Sequence, residues 1–164
     1  MYRHSYNIFT CNGILFNHTS PRRGDNFVEK KICNYVAQYY LSGFSNKFPN
    51  LKLGNLDAHR DIGCAKEYVE AMYWMMQHRI PDDYVISTGK TYSIKDILSI
   101  AFDCIGIKSW ENYVDVDKSL FRPSEVPYLK GNSLRARAVF GWEHRKPLDK
   151  IISQMVWDKI KGSV

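Results

Sequence analysis

The sequence predicts a mixed fold of helices and strands, of the α/β or α+β class, and three observations carry that expectation. Helical and strand-like segments alternate along the chain, with no internal repeat and no low-complexity linker. IFTCNGILFN, Ile8–Asn17, is a nearly continuous apolar run, the pattern of a strand buried on both faces. Three later segments instead repeat their apolar residues with the period of a helix.

Taken in order, Phe27–Leu41 is the first of these, with Val28, Ile32, Tyr35, Val36 and Tyr39 on one side. LKLGN, Leu51–Asn55, reads as a short strand running into a loop. The clearest helix covers about Cys64–Gln77, its apolar side formed by Ala65, Tyr68, Val69, Met72, Met75 and Met76. Asp61 stands just ahead of it, placed to cap its free N–H groups. The methionines and aromatics of AMYWMMQ, at this spacing, read as core packing and not as a cofactor contact.

DYVIST, Asp83–Thr88, is the next strand. Ser93 then opens a helix, with Asp96 three residues on as a capping box and Ile94, Ile97, Leu98, Ala101 and Ile105 as its buried stripe. NYVDVD, Asn112–Asp117, alternates as a half-exposed strand. Helices follow over Ser133–Phe140 and Leu148–Ile160, the second entered through Pro147.

Composition narrows the functional classes. At 164 residues with 45% hydrophobic content the chain has material for a substantial core, which argues against disorder. No apolar run approaches the roughly 18 residues of a membrane span, and MYRHSYN does not read as a signal peptide. A cytoplasmic protein with no membrane partner is expected. Cys11, Cys33, Cys64 and Cys104 are far apart with no C-x-x-C pair, so reduced, mostly buried thiols are expected and a structural metal is not. The net charge of +6 raises nucleic-acid binding as a possibility. The basic residues are scattered, however, and no helix carries a Lys/Arg stripe. No nucleic-acid partner is expected, and the charge also suits a site for a small polyanion such as a nucleoside diphosphate.

Several motifs are missing. No two glycines stand closer than Gly54 and Gly63, which excludes G-x-G-x-x-G and the P-loop. No tyrosine is followed four residues later by lysine, and neither G-x-S-x-G nor H-E-x-x-H occurs.

Three clusters remain that could carry chemistry. Asn17 and His18 close the first strand, and Ser20–Gly24 forms an arginine-bearing loop after it. Open α/β sheets bind ligands at the carboxyl ends of strands, and arginine meets phosphate with a two-pronged fork. The competing reading is a surface turn with solvated arginines. In LGNLDAHRDIG, Leu53–Gly63, Gly54 lets backbone approach a ligand and Asn55 offers an amide. Arg60 beside Asp61 is either an ordinary ion pair or a phosphate clamp. In FRPSEV, Pro123 fixes the backbone between Arg122 and Glu125, bringing a cation and an anion near one another. That combination suits a purine nucleotide, with guanine donating to the carboxylate, and equally describes a surface salt bridge.

The segments CNGILFNHTSPRRGDNFVEKKI, LGNLDAHRDIGCAKEYVEAMYWMMQ, PDDYVISTGKTYSIKDI and FRPSEVPYLKGNSLRARAVFGW, in this order, resemble the C-terminal half of the GDP-mannose 4,6-dehydratase family. Those enzymes are extended short-chain dehydrogenases/reductases of the NAD(P)-binding Rossmann superfamily, and the resemblance runs from Tyr2 to about Asp158. It implies the C-terminal part of a Rossmann-type domain plus a smaller α/β substrate-binding domain. Residues 1–26 would end the Rossmann domain and carry a cofactor and interface loop. Residues 27–164 would form the substrate domain, with 51–90 partly returning to the Rossmann sheet.

The implied chemistry begins when NADP takes a hydride from C4 of the GDP-mannose hexose. Water then leaves across C5 and C6, and the hydride returns to C6, giving GDP-4-dehydro-6-deoxy-mannose, a precursor of GDP-fucose and GDP-rhamnose. By the same resemblance His18 and Arg23 match cofactor-contacting positions, the arginine reaching a neighbouring subunit's NADP phosphate in a dimer or tetramer. Asn17, Val28, Lys31, Gly54, Asn55, Arg60, Arg122 and Glu125 match positions along the nucleotide sugar. The family departs from this chain at Thr19, Ile62 and Cys64, where it has glutamate, an aromatic residue and histidine. Its glycine loop, catalytic threonine and glutamate, and Tyr-x-x-x-Lys pair all lie upstream of the segments matched. No catalytic residue is therefore expected here, and the chain alone should be inactive. A partial gene piece, a natural truncation and one half of a split enzyme all fit. So do a non-catalytic nucleotide-sugar-binding module and a related NDP-sugar epimerase or reductase.

Overall fold

The computed structural model describes residues 2–162. A short helix, α1 (Tyr2–Tyr6), leads into β1 (Asn12–Leu15) and β2 (Asn17–Thr19). Helix α2 (Val28–Leu41) follows, then β3 (Leu51–Leu53), β4 (His59–Arg60), β5 (Ile62–Cys64) and α3 (Ala65–Gln77). Next come β6 (Asp83–Ile86), β7 (Tyr92–Ser93), α4 (Ile94–Asp103) and β8 (Val114–Val116). The described chain closes with α5 (Leu134–Phe140) and α6 (Leu148–Ile160).

Among the described residues the strands form four pairs. β1 lies parallel to β6 from Asn12 opposite Asp83 to Leu15 opposite Ile86. β2 is parallel to β5 and β3 to β8, whereas β4 runs antiparallel to β7. The run Ile8–Asn17 is thus not one strand. At Phe16, whose N–H donates to the Ile86 carbonyl, the chain leaves β6, and from Asn17 it pairs with β5.

Nor is that run buried on both faces. Ile8, Phe9 and Ile14 are 50%, 39% and 53% exposed. Among the described residues β1 pairs with β6 alone, so one of its edges has no neighbour.

The main core lies where α2, α4 and α6 meet β3, β5 and β8. Ile32, Val36, Ile97, Phe102, Ile152 and Val156 are fully buried there. Cys33 belongs to the same core, and burial pushes its thiol pKa up, which keeps it protonated and inert. The four cysteines are free, Cys33 and Cys64 buried and the other two half-buried.

Helix α4 starts as its sequence requires. Ser93 Oγ accepts from the Asp96 N–H, and the Asp96 carboxylate accepts from the Ser93 N–H, closing the capping box. The helix ends at Asp103, so Phe102 joins the buried stripe and Ile105 lies half-buried beyond it. Pro147 stands at the N-cap of α6, as its position implies.

Helix α3 departs from expectation twice. Its buried residues are Glu67, Tyr68, Ala71 and Met75, whereas Val69, Met72 and Met76 are exposed. The reason is what the buried face meets. The Glu67 carboxylate accepts from the Arg145 and Lys146 N–H groups, and its carbonyl accepts from the Trp142 indole at 2.8 Å. Tyr68 packs edge-on against Trp142. These contacts turn the helix toward the 142–146 loop, and its methionine-rich stripe rotates outward.

The second departure is Asp61, which does not cap α3. Strand β5 intervenes, and Cys64 occupies the N-cap without a side-chain bond. Asp61 is fully buried and accepts from the Thr88 hydroxyl and from the N–H groups of Thr88, Gly89 and Gly131. One carboxylate thereby joins the loop after β6 to the loop before α5. Close packing fixes the same junction, because a Cβ on Gly131 would stand 2.3 Å from the Ser87 Cβ.

Candidate nucleotide-sugar cleft

A cleft of about 390 Å³ opens between the end of β2, the first turn of α2, the loop after β3 and the 120–125 segment. Nine of the ten site residues read from the sequence line it: Asn17, Arg23, Val28, Lys31, Gly54, Asn55, Arg60, Arg122 and Glu125. They come from positions more than 100 residues apart in the chain, roughly the separation of Asn17 and Glu125, and parallel pairing brings them together.

His18 is the exception. Successive side chains of a strand point to opposite faces, so with Asn17 in the cleft His18 turns the other way. Its ring lies 4.8 Å from that of Tyr68, and Nδ1 is 2.8 Å from the Phe16 carbonyl oxygen.

The loop Ser20–Phe27 is held against the helix it precedes. The Arg23 N–H donates to the Ser20 carbonyl, and the buried Lys30 ammonium donates to the Pro21 carbonyl at 2.7 Å. The Arg23 guanidinium lies 3.5 Å over the Phe27 ring centre and 3.4 Å from Oε1 of Glu29, which is 3% exposed. Among the described residues neither Arg23 Nε nor Glu29 Oε1 has a hydrogen-bond partner.

Across the cleft the pairings differ from those read in the sequence. Arg60 does not pair with Asp61, nor Arg122 with Glu125. Arg60 Nη2 donates to Glu125 Oε1 at 3.1 Å, and Asn55 Nδ2 donates to Glu125 Oε2 at 2.9 Å. Arg60 Nη1 also donates to the Val126 carbonyl. Asp61 is committed to the loops described above, which frees Arg60 for a partner across the cleft.

Gly54 has a related role. A Cβ there would stand 2.8 Å from the Leu120 carbonyl oxygen, so the close approach it permits is to the chain's own backbone. Two fastenings, Gly54 against Leu120 and Asn55/Arg60 against Glu125, therefore bracket Arg122.

Five cations line the cleft (Arg23, Lys31, Lys52, Arg60 and Arg122) against two carboxylates, Glu29 and Glu125. Each carboxylate pairs with one arginine. Among the described residues Lys31, Lys52 and Arg122 form no ion pair, and this surplus gives the cleft a field suited to a polyanion. Val28, Leu53, Ile62 and Ile94 supply the apolar wall.

Sequence reading missed Glu29 and Lys52. Glu29 sits beside Val28 at the start of an amphipathic helix, where a charge normally faces water, and only the fold brings Arg23 back to it. Lys52 alternates outward on β3, and no local pattern ties it to a ligand.

A family model described as GDP-mannose 4,6 dehydratase matches residues 1–155. The chain belongs to the GDP-mannose 4,6-dehydratase family. It is 43% identical over 155 residues to GDP-mannose 4,6 dehydratase 1 of Arabidopsis thaliana, covering 94% of this chain and 42% of that protein. Against the Homo sapiens GDP-mannose 4,6 dehydratase it is 41% identical over 171 residues, covering 94% and 45%. This dehydratase-family chain thus spans less than half the length of those relatives.

Solved structures show the same fold. RMD from Pseudomonas aeruginosa, complexed with NADPH, superposes with a TM-score of 0.81 at 16% identity, over 98% of this chain and 51% of that one. UDP-glucose 4-epimerase from Thermotoga maritima, with UDP-glucose, gives 0.81 at 14% identity, over 99% and 50%. The α/β architecture is that of the C-terminal part of extended short-chain dehydrogenase/reductase proteins.

Proposed function

We propose that this chain supplies the GDP-mannose-binding part of a GDP-mannose 4,6-dehydratase, a hydro-lyase that forms GDP-4-dehydro-6-deoxy-mannose. The observation that carries the reading is the cleft itself, in which Lys31, Lys52 and Arg122 have no anionic partner among the described residues and line the space that Asn17 borders. A diphosphate would fill that charge deficit, and the apolar wall of Val28, Leu53 and Ile94 suits the flat faces of a base and sugars.

In this reading Arg122 and Lys31 hold the diphosphate, and the Asn17 amide fixes an oxygen of the sugar-diphosphate. Glu125 meets the guanine edge. Its oxygens already accept from Asn55 and Arg60, but a carboxylate has about four acceptor sites, so further capacity remains for guanine N–H groups. Asn55, Arg60 and Gly54 border the diphosphate and base region and hold the 120–125 segment over it.

When bound, NADP would accept the hydride from the hexose and return it. The chain has no paired glycines to cradle a dinucleotide. His18 fits a cofactor hydroxyl or phosphate, because its ring is a hydrogen-bonding group in the middle of β2, on the face away from the sugar cleft. The remaining cofactor contacts and the proton-transfer groups would come from a nucleotide-binding half. Under this reading residues 1–26 belong with that half, 27–164 form the substrate domain, and the complete enzyme is a homo-oligomer in the cytoplasm.

The test is complementation. The chain is combined with the N-terminal half of a homologous dehydratase, NADP and GDP-mannose, and the 4-dehydro product is measured. Product formation that falls sharply with Arg122→Ala supports the reading. Turnover of another nucleotide sugar with GDP-mannose refused overturns the substrate assignment.

A further inference from the structure

We propose that Tyr68 and Gly63 position the His18 imidazole so that it offers a cofactor only a hydrogen-bond acceptor. Its partner is then a neutral donor, a hydroxyl or an amide N–H, and not a phosphate. The inference rests on the dehydratase reading above and narrows the cofactor groups considered there to one kind.

The ring's proton is placed by its own strand. His18 Nδ1 is 2.8 Å from the Phe16 carbonyl oxygen, and a carbonyl only accepts, so the proton sits on Nδ1. In a neutral imidazole one nitrogen donates and the other accepts, which leaves Nε2 as a lone pair. Nε2 has no hydrogen-bond partner among the described residues and is not sealed off, in contrast to the Tyr68 hydroxyl.

The ring's orientation is set by neighbouring elements. Tyr68 is fully buried, and its ring centre lies 4.8 Å from that of His18, with 33° between the planes. Tyr68 is itself held edge-on against Trp142. The seat that admits it is Gly63, which pairs with His18 across β2 and β5. A Cβ there would stand 2.5 Å from Tyr68 Cε2 and 2.9 Å from Thr88 Cγ2. A larger residue at 63 would push the Tyr68 ring out of its place beside His18.

The Tyr68 hydroxyl does not account for this packing. It is buried with no hydrogen-bond partner among the described residues, although buried polar groups nearly always have one. Burial pushes its pKa up, so it stays protonated. The ring is therefore the part of Tyr68 that serves His18.

A phosphate would require a different state of the imidazole. Nε2 would have to carry a second proton while Nδ1 keeps its own, making the ring an imidazolium. Among the described residues no carboxylate stands in ion-pair range of His18 to stabilise that charge; the one histidine ion pair is that of His144 with Glu67. The face of Tyr68 would attract an imidazolium, however, so the protonation state itself must be measured.

The first measurement is nitrogen NMR of the histidine rings in the purified chain at neutral pH, with His18→Gln to assign the His18 signals. The expected spectrum shows Nδ1 protonated and Nε2 bare, unchanged in Tyr68→Phe. In Gly63→Ala and Tyr68→Leu the two nitrogens should average, with melting curves checking that each variant folds. A bare Nδ1 or a doubly protonated ring in the wild-type chain overturns the inference, and that result needs neither a variant nor a cofactor.

The second measurement pairs the chain with the N-terminal half of a homologous dehydratase and follows NADPH binding by its fluorescence. His18→Ala and His18→Arg should each weaken NADPH by about tenfold, the factor that ~1.4 kcal/mol represents. An arginine variant that binds as tightly as wild type, or more tightly, shows an anion as the partner and overturns the inference. So does an alanine variant with normal affinity. The acetylpyridine analogue of NADPH, which lacks the amide N–H, then separates the two donors. An alanine effect that vanishes with the analogue assigns the amide, and one that persists assigns a hydroxyl; both support the inference. If the wild-type pair binds no NADPH, the dehydratase reading fails, while the ring spectra still decide the positioning by Tyr68 and Gly63.

Discussion

The two sides of this molecule solve the burial problem differently. Around α2, α4 and α6 the apolar residues close on one another, and Ile97, Phe102 and Ile152 have no exposed surface. Around β1 and α3 the packing stops halfway. Tyr68, Ala71 and Met75 are covered, yet Ile14, Val69, Met72, Tyr73 and Met76 range from 38% to 60% exposed. Spacings of three and four residues put Val69, Met72, Tyr73 and Met76 along one helical stripe, which is the pattern of a buried face. The first side is a finished core, whereas the second has the composition of a core and the exposure of a surface. The cleft belongs to the finished side, and this explains how its walls hold their geometry.

The largest effect that would test this contrast is in the main core. Phe102→Ala should lower unfolding stability by about 3–5 kcal/mol in a denaturant titration, through lost burial and the cavity left behind. A loss under about 1 kcal/mol would mean that the helical side is as loosely packed as the α3 side.

Next is the link between the two loops. Asp61→Ala leaves three backbone N–H groups and a hydroxyl without their acceptor, and should cost about 2–4 kcal/mol. Hydrogen exchange would rise first at Gly89 and Gly131. Unchanged exchange there would break the assignment of Asp61 as the joint. A smaller effect, about 1 kcal/mol, is expected for Ser93→Ala, which opens the α4 capping box. Its melting curve compared with that of wild type measures it.

The smallest effect on stability sharpens the comparison most. Met76→Lys on the outer stripe of α3 should change unfolding stability by no more than about 0.5 kcal/mol. The same change should reduce self-association in sedimentation experiments, because large exposed apolar patches drive association. A stability loss comparable to that of Phe102→Ala would show that the stripe is covered after all.

Legibility in the sequence followed the same division. Helices α2, α4 and α6 could be placed nearly to the residue, because their apolar period, the Ser93/Asp96 box and Pro147 are local signals. The strands β2, β4, β5 and β7, at two or three residues each, are too short to show any period and exist through pairing with distant chain. The α3 stripe was read correctly as apolar but placed on the wrong face, since hydrophobic spacing cannot reveal that Glu67 has two N–H donors waiting in the 142–146 loop.

Nine residues singled out in the sequence line one cleft, whereas the wiring inside that cleft was not legible. Sequence proximity suggested Arg60 with Asp61 and Arg122 with Glu125, whereas the fold joins Arg60 to Glu125 across 65 positions and leaves Arg122 without an ion pair among the described residues. That rewiring matters for function, because an unpaired arginine is available to a phosphate and a paired one is already partly committed. Glu29 went unseen for the same reason.

The most direct test of the cleft is a calorimetric titration of the purified chain with GDP-mannose, run in parallel on Arg122→Ala and with UDP-glucose as competitor. Saturable binding that weakens about tenfold in the variant, falls with added salt and resists UDP-glucose is the expected outcome. Equal affinity for both nucleotide sugars, or binding indifferent to Arg122, would contradict the account.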